Sequence, residues 1–448
     1  MNSIESFVEK NYERYEEELF ELLRIPSISP VPGFEKDILE CAEAFSKLMN
    51  SAGIKTKVYQ TNGNPIVYGE TEYKEGRTTI LFYGHYDVQP EGDVGLWDSP
   101  PYEPEVRNDR IYARGIGDNK GQIFSHIKGY EVYNKMFGKA NINLKYILEG
   151  EEESGSEQLR AFSEDHKEML KADVTIWSDA NMHISGRPVI ILGLKGISYL
   201  KINVKGPSRD IHSQFAAVLP NPIWKLITVL NSLKDKNGHV LVPGFYEDTE
   251  PPSNEVLQAI KRIPGKLTDY TDDWGVTETL SNNEIEDFYL RYMYEPTLNC
   301  GCISAGNPTS SKNVVPHEAA AWLDIRTVPN QKHTEICRKV KNFISSLEVP
   351  DIEVSCFGID PAYTPLDNPF ISTIIGVLQS VWKKEPIIFP ALGGSGPFHV
   401  FNVVIGAPCI MVPFADSQQH DHGPNESMPI RNIKSGISTS AKLIQSLS

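Results

Sequence analysis

Apolar residues recur at helical spacing near the N-terminus, at Ile4, Phe7, Val8, Tyr15, Leu19, Leu22 and Leu23, which predicts an amphipathic helix. A second amphipathic helix is expected over residues 39–51, with Gly53 as its stop. Apolar runs that read as strands follow at residues 78–83, 143–148 and 174–177, with a helical stretch at 120–137 between the first two. Strands separated by helices predict a largely parallel sheet covered on both faces.

The pattern changes near Leu192. Residues 196–206 alternate apolar and polar, as in an antiparallel strand with one wet face. Pro222 opens a helix over residues 222–233. Residues 235–299 are acidic and proline-rich and read as an elaboration, with a helix near 283–294. A strand at 319–326, a helix at 334–346 and a strand at 352–357 complete a small α+β unit. From about Tyr363 the α/β character returns, with a strand at 408–414 and a closing helix at 432–447. The expected fold is therefore an α/β domain with a mostly parallel sheet flanked by helices, interrupted by an inserted α+β domain. Its boundaries fall at residues 1–193, 194–362 and 363–448.

A length of 448 residues agrees with two domains. With 40% hydrophobic and 23% charged residues, disordered and fibrous classes are set aside. The net charge of -16 argues against a nucleic-acid partner, since phosphates reward lysine and arginine. Residues 1–21 are glutamate-rich, with no basic segment leading into an apolar run, and no stretch is long enough to span a bilayer. Six scattered cysteines, Cys41, Cys300, Cys302, Cys337, Cys356 and Cys409, read as reduced, small hydrophobes of a cytoplasmic protein.

Candidate chemistry gathers where the strands end. Gly84-His85-Tyr86-Asp87-Val88-Gln89-Pro90 follows the first apolar run. Residues two apart in extended chain face one side, so Asp87 could hold the His85 imidazole with one nitrogen free for a metal. Alone, a turn with a satisfied histidine explains it better. Arg114-Gly115-Ile116-Gly117-Asp118-Asn119-Lys120-Gly121 sets an acid among glycines before a helix, where Asp118 is either a ligand or an N-cap. Its glycine spacing fits neither nucleotide fingerprint. Glu149-Gly150-Glu151-Glu152-Glu153-Ser154-Gly155-Ser156 emerges from a buried-looking strand, where crowded carboxylates need a compensating cation. Asp179 is the third acid after a strand, and His420 or His422 offers an imidazole near the C-terminus. Gly393-Gly394-Ser395-Gly396-Pro397 could form a nest for an anion. Together these offer oxygen and nitrogen donors suited to a two-metal hydrolytic site, with zinc, manganese or cobalt.

In combination and order, these motifs resemble the di-zinc peptidases and deacylases that include cytosolic nonspecific dipeptidase, carnosinase, succinyl-diaminopimelate desuccinylase and glutamate carboxypeptidase. The likeness runs from the helix before Arg24-Ile25-Pro26-Ser27 to Pro424-Asn425-Glu426, and is greatest to the dipeptidase and carnosinase branch. It implies that Asp118 bridges two divalent ions, most simply zinc, one also held by His85 and Asp179, the other by Glu153 and His422. It implies Glu152 as general base and Asp87 as the residue orienting His85. His212, within Asp210-Ile211-His212-Ser213, would reach the partner's active site from a lid and dimerisation domain, in a homodimer. Asn313, in Lys312-Asn313-Val314-Val315-Pro316, together with Arg326 and Ser395, would hold the substrate.

The implied reaction is hydrolysis of an amide in a dipeptide with a free carboxylate, by water activated between the ions. N-acyl amino acids are the rival substrates, and a catalytically silent metal or peptide binder is the rival outside the enzymes. Departures from the family pattern are Asn119 for a second acid, Ala113 for a common glycine, and Gly396 where the dipeptidase branch usually has isoleucine. Asn313 also stands where relatives carry threonine. These bear on substrate choice more than on reaction type.

Overall fold

The computed structural model describes residues 3–282, 284–306 and 313–448. Its larger sheet has eight strands in the order Lys55–Tyr59, Ile66–Glu70, Asn143–Glu149, Thr79–His85, Val174–Trp177, Cys409–Met411, Val189–Ile191 and Ile387–Phe389. Thr79–His85 runs parallel to both neighbours, and Cys409–Met411 parallel to Val174–Trp177. Ile66–Glu70 lies antiparallel to both of its neighbours, so the sheet is mostly rather than wholly parallel. Every residue of Thr79–His85 and Asn143–Glu149 is buried. That accounts for their unbroken apolar runs, because both faces of these strands are covered.

Helices Ile4–Leu23, Lys120–Phe137 and Ile430–Leu447 share one face. Lys120–Phe137 is buried from Lys120 to Tyr133, so it shows little amphipathic contrast. Gly129 lets it touch Ile430–Leu447 closely: a Cβ there would lie 2.3 Å from the Ser440 Cβ. The Nε2 of His126 meets the Ser178 hydroxyl at 2.7 Å and its Nδ1 the Ser440 hydroxyl at 2.7 Å, which satisfies a polar ring inside this layer.

The smaller sheet is antiparallel, in the order Thr297–Ala305, Glu318–Thr327, Gly196–Lys205 and Ile352–Ile359. Helices Pro222–Leu233 and His333–Ser346 cover one face. The other leaves Tyr199, Trp322 and Phe357 exposed, which is the alternation visible in the sequence. The chain passes into this unit at Gly193–Leu194 and out at Ala362–Tyr363, two short strands that pair antiparallel. At this neck a Cβ on Gly193 would overlap the Tyr363 ring.

Two features depart from expectation. Helices Asn254–Lys261 and Ile285–Tyr294, read as an elaboration of the insert, bury Ile260, Tyr289 and Met293 in the core of the larger sheet beside Trp177 and Phe389. The rings of Tyr289 and Phe389 meet edge-on at 5.9 Å. The cysteine reading is also corrected: Cys337 and Cys356 form a disulfide, Cys300 and Cys302 are exposed, and only Cys41 and Cys409 are buried and free. Helix His333–Ser346 packs over strand Ile352–Ile359 and brings the Cα atoms of Cys337 and Cys356 to 6.0 Å. That proximity is tertiary, so two cysteines 19 residues apart read only as scatter.

Candidate metal centre

Four mutually parallel strands deliver their C-terminal ends to one edge, the place where open α/β sheets present ligand groups. Thr79–His85 ends on His85, Asn143–Glu149 leads into the turn of Glu152 and Glu153, Val174–Trp177 precedes Asp179, and the loop after Cys409–Met411 carries His422. Asp118 comes from the loop before helix Lys120–Phe137. The cap of that helix is Asn119, without a side-chain capping bond, so Asp118 is not spent on capping. The bond between Asp118 and Asn119 is cis.

Asp118 turns one oxygen to each side. Its Oδ1 lies 3.0 Å from the Nε2 of His85, which is also 3.4 Å from the Oδ2 of Asp179. Its Oδ2 lies 3.1 Å from the Nε2 of His422, which is 3.2 Å from the Oε2 of Glu153. His422, rather than His420, therefore meets the cluster. Four donors in a tetrahedron around zinc stand about 3.3 Å apart, and these separations match. The Nε2 of His85, which faces Asp118 and Asp179, is buried with no hydrogen-bond partner among the described residues. Donors that face a common point without bonding one another fit a cation between them.

The supports are specific. The Nδ1 of His85 faces the backbone carbonyl of Asp87 at 3.2 Å and its carboxylate at 3.4 Å. That carboxylate also accepts the backbone N–H groups of Glu152 at 3.3 Å and Glu153 at 3.1 Å, and the hydroxyl of Ser29. Asp87 thus ties the histidine strand to the glutamate turn. The indole of Trp177 donates to Asp179 at 3.0 Å, and Gln89 donates to Glu153 at 2.9 Å. The buried carboxylate of Glu426 accepts from Arg114, Gly115 and Gly117 at 2.9 Å each, and from the N–H of Asp118 at 3.1 Å. Glu426 and Gln89 have no assigned role at the sequence level, although both sit inside the quoted motifs.

The potential at this edge is strongly negative. Burial, then repulsion from Asp179, Glu153 and Asp118, pushes the Glu152 carboxyl well above its usual range against the pull of His85. Burial and Asp118 likewise raise Glu153 and Asp179. Asp118 and Glu153 carry the His422 imidazole up to about 11. Against its own burial, Asp118 is held below the usual carboxylate range by the two imidazoles.

The remaining sequence-predicted residues fall into two groups. Arg326 donates from Nη1 to the Ser395 hydroxyl at 2.8 Å, so these two meet. His212 is exposed on the insert, where its Nδ1 accepts the N–H of Gln214 at 3.1 Å. The carbonyl of Asn313 accepts the N–H of Ser213 at 2.8 Å, which sets Asn313 beside His212. Among the described residues neither His212 nor Asn313 makes a hydrogen bond or ion pair with the acid cluster. Lys312 lies outside the described residues.

This sheet edge and its two-sided cluster define a metal-dependent peptidase. The profile of peptidase family M20/M25/M40 matches residues 81–446, and the chain belongs to that family. It is 26% identical over 425 residues to Beta-Ala-His dipeptidase of Homo sapiens, covering 90% of this chain and 83% of the relative. It is 26% identical over 459 residues to Cys-Gly metallodipeptidase DUG1 of Candida albicans, covering 96% and 94%. The crystal structure of the M20 metallo-carboxypeptidase Sso-CP2 from Sulfolobus solfataricus superposes with a TM-score of 0.92 at 30% identity, covering 97% of this chain and 99% of the other.

Proposed function

We propose that this chain is a di-metal dipeptidase whose substrate carries a free C-terminal carboxylate. The observation that carries the reading is the Asp118 carboxylate, with His85 and Asp179 against one oxygen and His422 and Glu153 on the side of the other. These five residues would hold two divalent ions, zinc by the donor set, with manganese or cobalt as substitutes. When bound, such a pair supplies Lewis acidity toward the amide carbonyl and acidifies water. Two relatives bear the names of dipeptidases, which supports a dipeptide as substrate.

Glu152 acts as general base, taking a proton from the attacking water and handing it to the leaving amine. Asp87 holds both His85 and the backbone of Glu152 in register. Arg326, steadied by Ser395, grips the terminal carboxylate through its planar fork. His212 of the partner subunit stabilises the oxyanion, with Asn313 beside it, which makes the protein a symmetric homodimer. Residues 194–362 then serve as lid and dimerisation domain between the two parts of a catalytic domain.

A panel of dipeptides, N-acyl amino acids and tripeptides, assayed with zinc, manganese and cobalt, tests the reading. Glu152→Ala should lower kcat by about 10²–10⁴-fold while elemental analysis still finds two ions per chain. Substantial turnover by that variant would remove Glu152 from its role. Metal-loaded protein inert on every amide would overturn the enzyme assignment.

A further inference from the structure

We propose that residues 274–280 and helix Ile285–Tyr294 form the side-chain pocket for the substrate's C-terminal residue and select a large apolar or aromatic group there. The proposal rests on the reading above that Arg326 grips the terminal carboxylate. A cavity of about 540 Å³ opens beside Arg326, walled by Trp274, Leu280, Phe288 and Tyr292. Its apolar rim faces solvent, with Trp274 54% and Leu280 70% exposed. The rings of Phe288 and Tyr292 stack at 6.2 Å and 5°, and the Trp274 ring is 6.0 Å from Phe288. Rigid aromatic walls around a few polar groups are what a small-ligand site presents.

The link to the acid cluster is a single loop. The ring of Tyr292 lies on Gly393, where a Cβ would come within 2.5 Å of it. Two residues on, the Ser395 hydroxyl accepts from Arg326. One residue further, a Cβ on Gly396 would be 3.4 Å from the Oε1 of Glu152. Cavity wall, guanidinium and proposed base therefore follow one another along residues 393–396. The side chain of a C-terminal residue leaves the same carbon that bears the gripped carboxylate, so the space beside Arg326 receives it.

Charge in the cavity points the same way. Lys195 is committed to the carbonyls of Arg291 and Glu295, at 3.2 and 2.6 Å, and Lys234 to that of Leu298 at 2.8 Å. Arg291 is paired with Asp287 at 3.0 Å and Glu295 at 2.8 Å. Burial brings the Lys195 ammonium down to about 7, Arg291 is paired with two carboxylates, and Glu278 and Glu295 also line the cavity, so a second acidic group on the substrate finds less to bind than an apolar one.

The test is a series of dipeptides with N-terminal alanine and glycine, aspartate, leucine or phenylalanine at the C-terminus. Wild-type kcat/KM should favour phenylalanine and leucine over glycine by about tenfold or more. In Leu280→Ala and Trp274→Ala, both at solvent-facing positions, the loss on Ala-Phe should exceed that on Ala-Gly by about tenfold, through KM. Equal losses on both substrates, or a wild-type preference for glycine or aspartate, would overturn the pocket. Calorimetric binding of free L-phenylalanine, abolished in Leu280→Asp, reads the pocket without turnover. Absence of all hydrolysis with that binding intact would strike the dipeptidase reading, whereas hydrolysis without C-terminal preference would strike the pocket alone.

Discussion

Glu131 and the carboxylates around Asp118 are both buried within the same domain, and the fold treats them in opposite ways. Burial alone would raise Glu131, but Lys128 at 2.7 Å, with Lys135 and Arg14, holds its carboxyl down to about 2. Asp118 and its neighbours Glu152, Glu153 and Asp179 make four acids, and among the described residues no lysine or arginine is paired with any of them. Three of the four, Glu152, Glu153 and Asp179, are raised instead. Glu131 is therefore given resident cations. At the sheet edge the chain supplies only imidazoles, which suits cations that come from solution.

The largest effect that could break this comparison is metal removal. Each ion held at a thousandfold excess over its Kd adds about 4 kcal/mol to the unfolding free energy. Denaturant unfolding with and without a chelator should therefore differ by that amount or more, and zinc should restore it. Identical curves, with metal absent from both samples, would mean that the acid cluster is stable alone and that the contrast with Glu131 is empty.

Replacing Glu131 should come next. Glu131→Gln leaves the fully buried Lys128 ammonium with Glu18 as its one remaining carboxylate, a loss of about 1.5–3 kcal/mol with or without chelator. Acid offers the same test without a mutation. The folded pKa of Glu131 lies below its usual 4.5, so its contribution is complete above about 4.5 and drains away as pH falls toward 2. Glu131→Gln should flatten that part of the stability profile; an unchanged profile would show that the three cations do not hold Glu131.

The same contrast explains what could be read from the sequence. His85, Asp118, Glu153 and Asp179 stand out as candidates because each follows a strand or opens a helix; the resemblance to the family joins them into one set, and the structure brings them within a few ångströms of one another. Helices Lys120–Phe137 and Pro222–Leu233 and strand Val174–Trp177 fell where apolar spacing and proline put them. Val189–Ile191 and Ile387–Phe389 went unread, because three residues are too few to display a period. Edge strand Lys55–Tyr59 is lysine-rich, as edges tend to be, and lacked an apolar signature. Glu426 was invisible as a support because its role comes from four N–H donors about 300 residues earlier in the chain. The docking of Asn254–Lys261 and Ile285–Tyr294 on the larger sheet was hidden for a similar reason: an apolar helix face does not name its partner.

Asp87 tests whether the supports matter as much as the donors. Asp87→Ala removes the carboxylate beside the Nδ1 of His85, leaving it the backbone carbonyl of residue 87 alone, and releases the Glu152–Glu153 turn. Metal affinity should fall by about 10–100-fold, measured by competition with a chromophoric chelator. An unchanged affinity would confine the work of Asp87 to the backbone.

The smallest expected effect is also the sharpest, because it changes sign. Asp179 is raised by burial and by Asp118, so in metal-free protein its charge opposes folding. Asp179→Asn removes that repulsion and keeps one oxygen, which can accept either the Trp177 indole or the N–H of Ala180 but not both, a cost that the lost repulsion has to exceed. In the presence of chelator at pH 7 the variant should be more stable than the parent, by about 1 kcal/mol. With zinc present the order should reverse, since a neutral amide is a weaker donor than a carboxylate. Glu131→Gln should destabilise under both conditions, so the pair separates an acid kept for a resident cation from one kept for a visiting ion. If Asp179→Asn destabilised the chelated protein as well, its carboxylate would be held for structure, like that of Glu131, and the comparison would collapse.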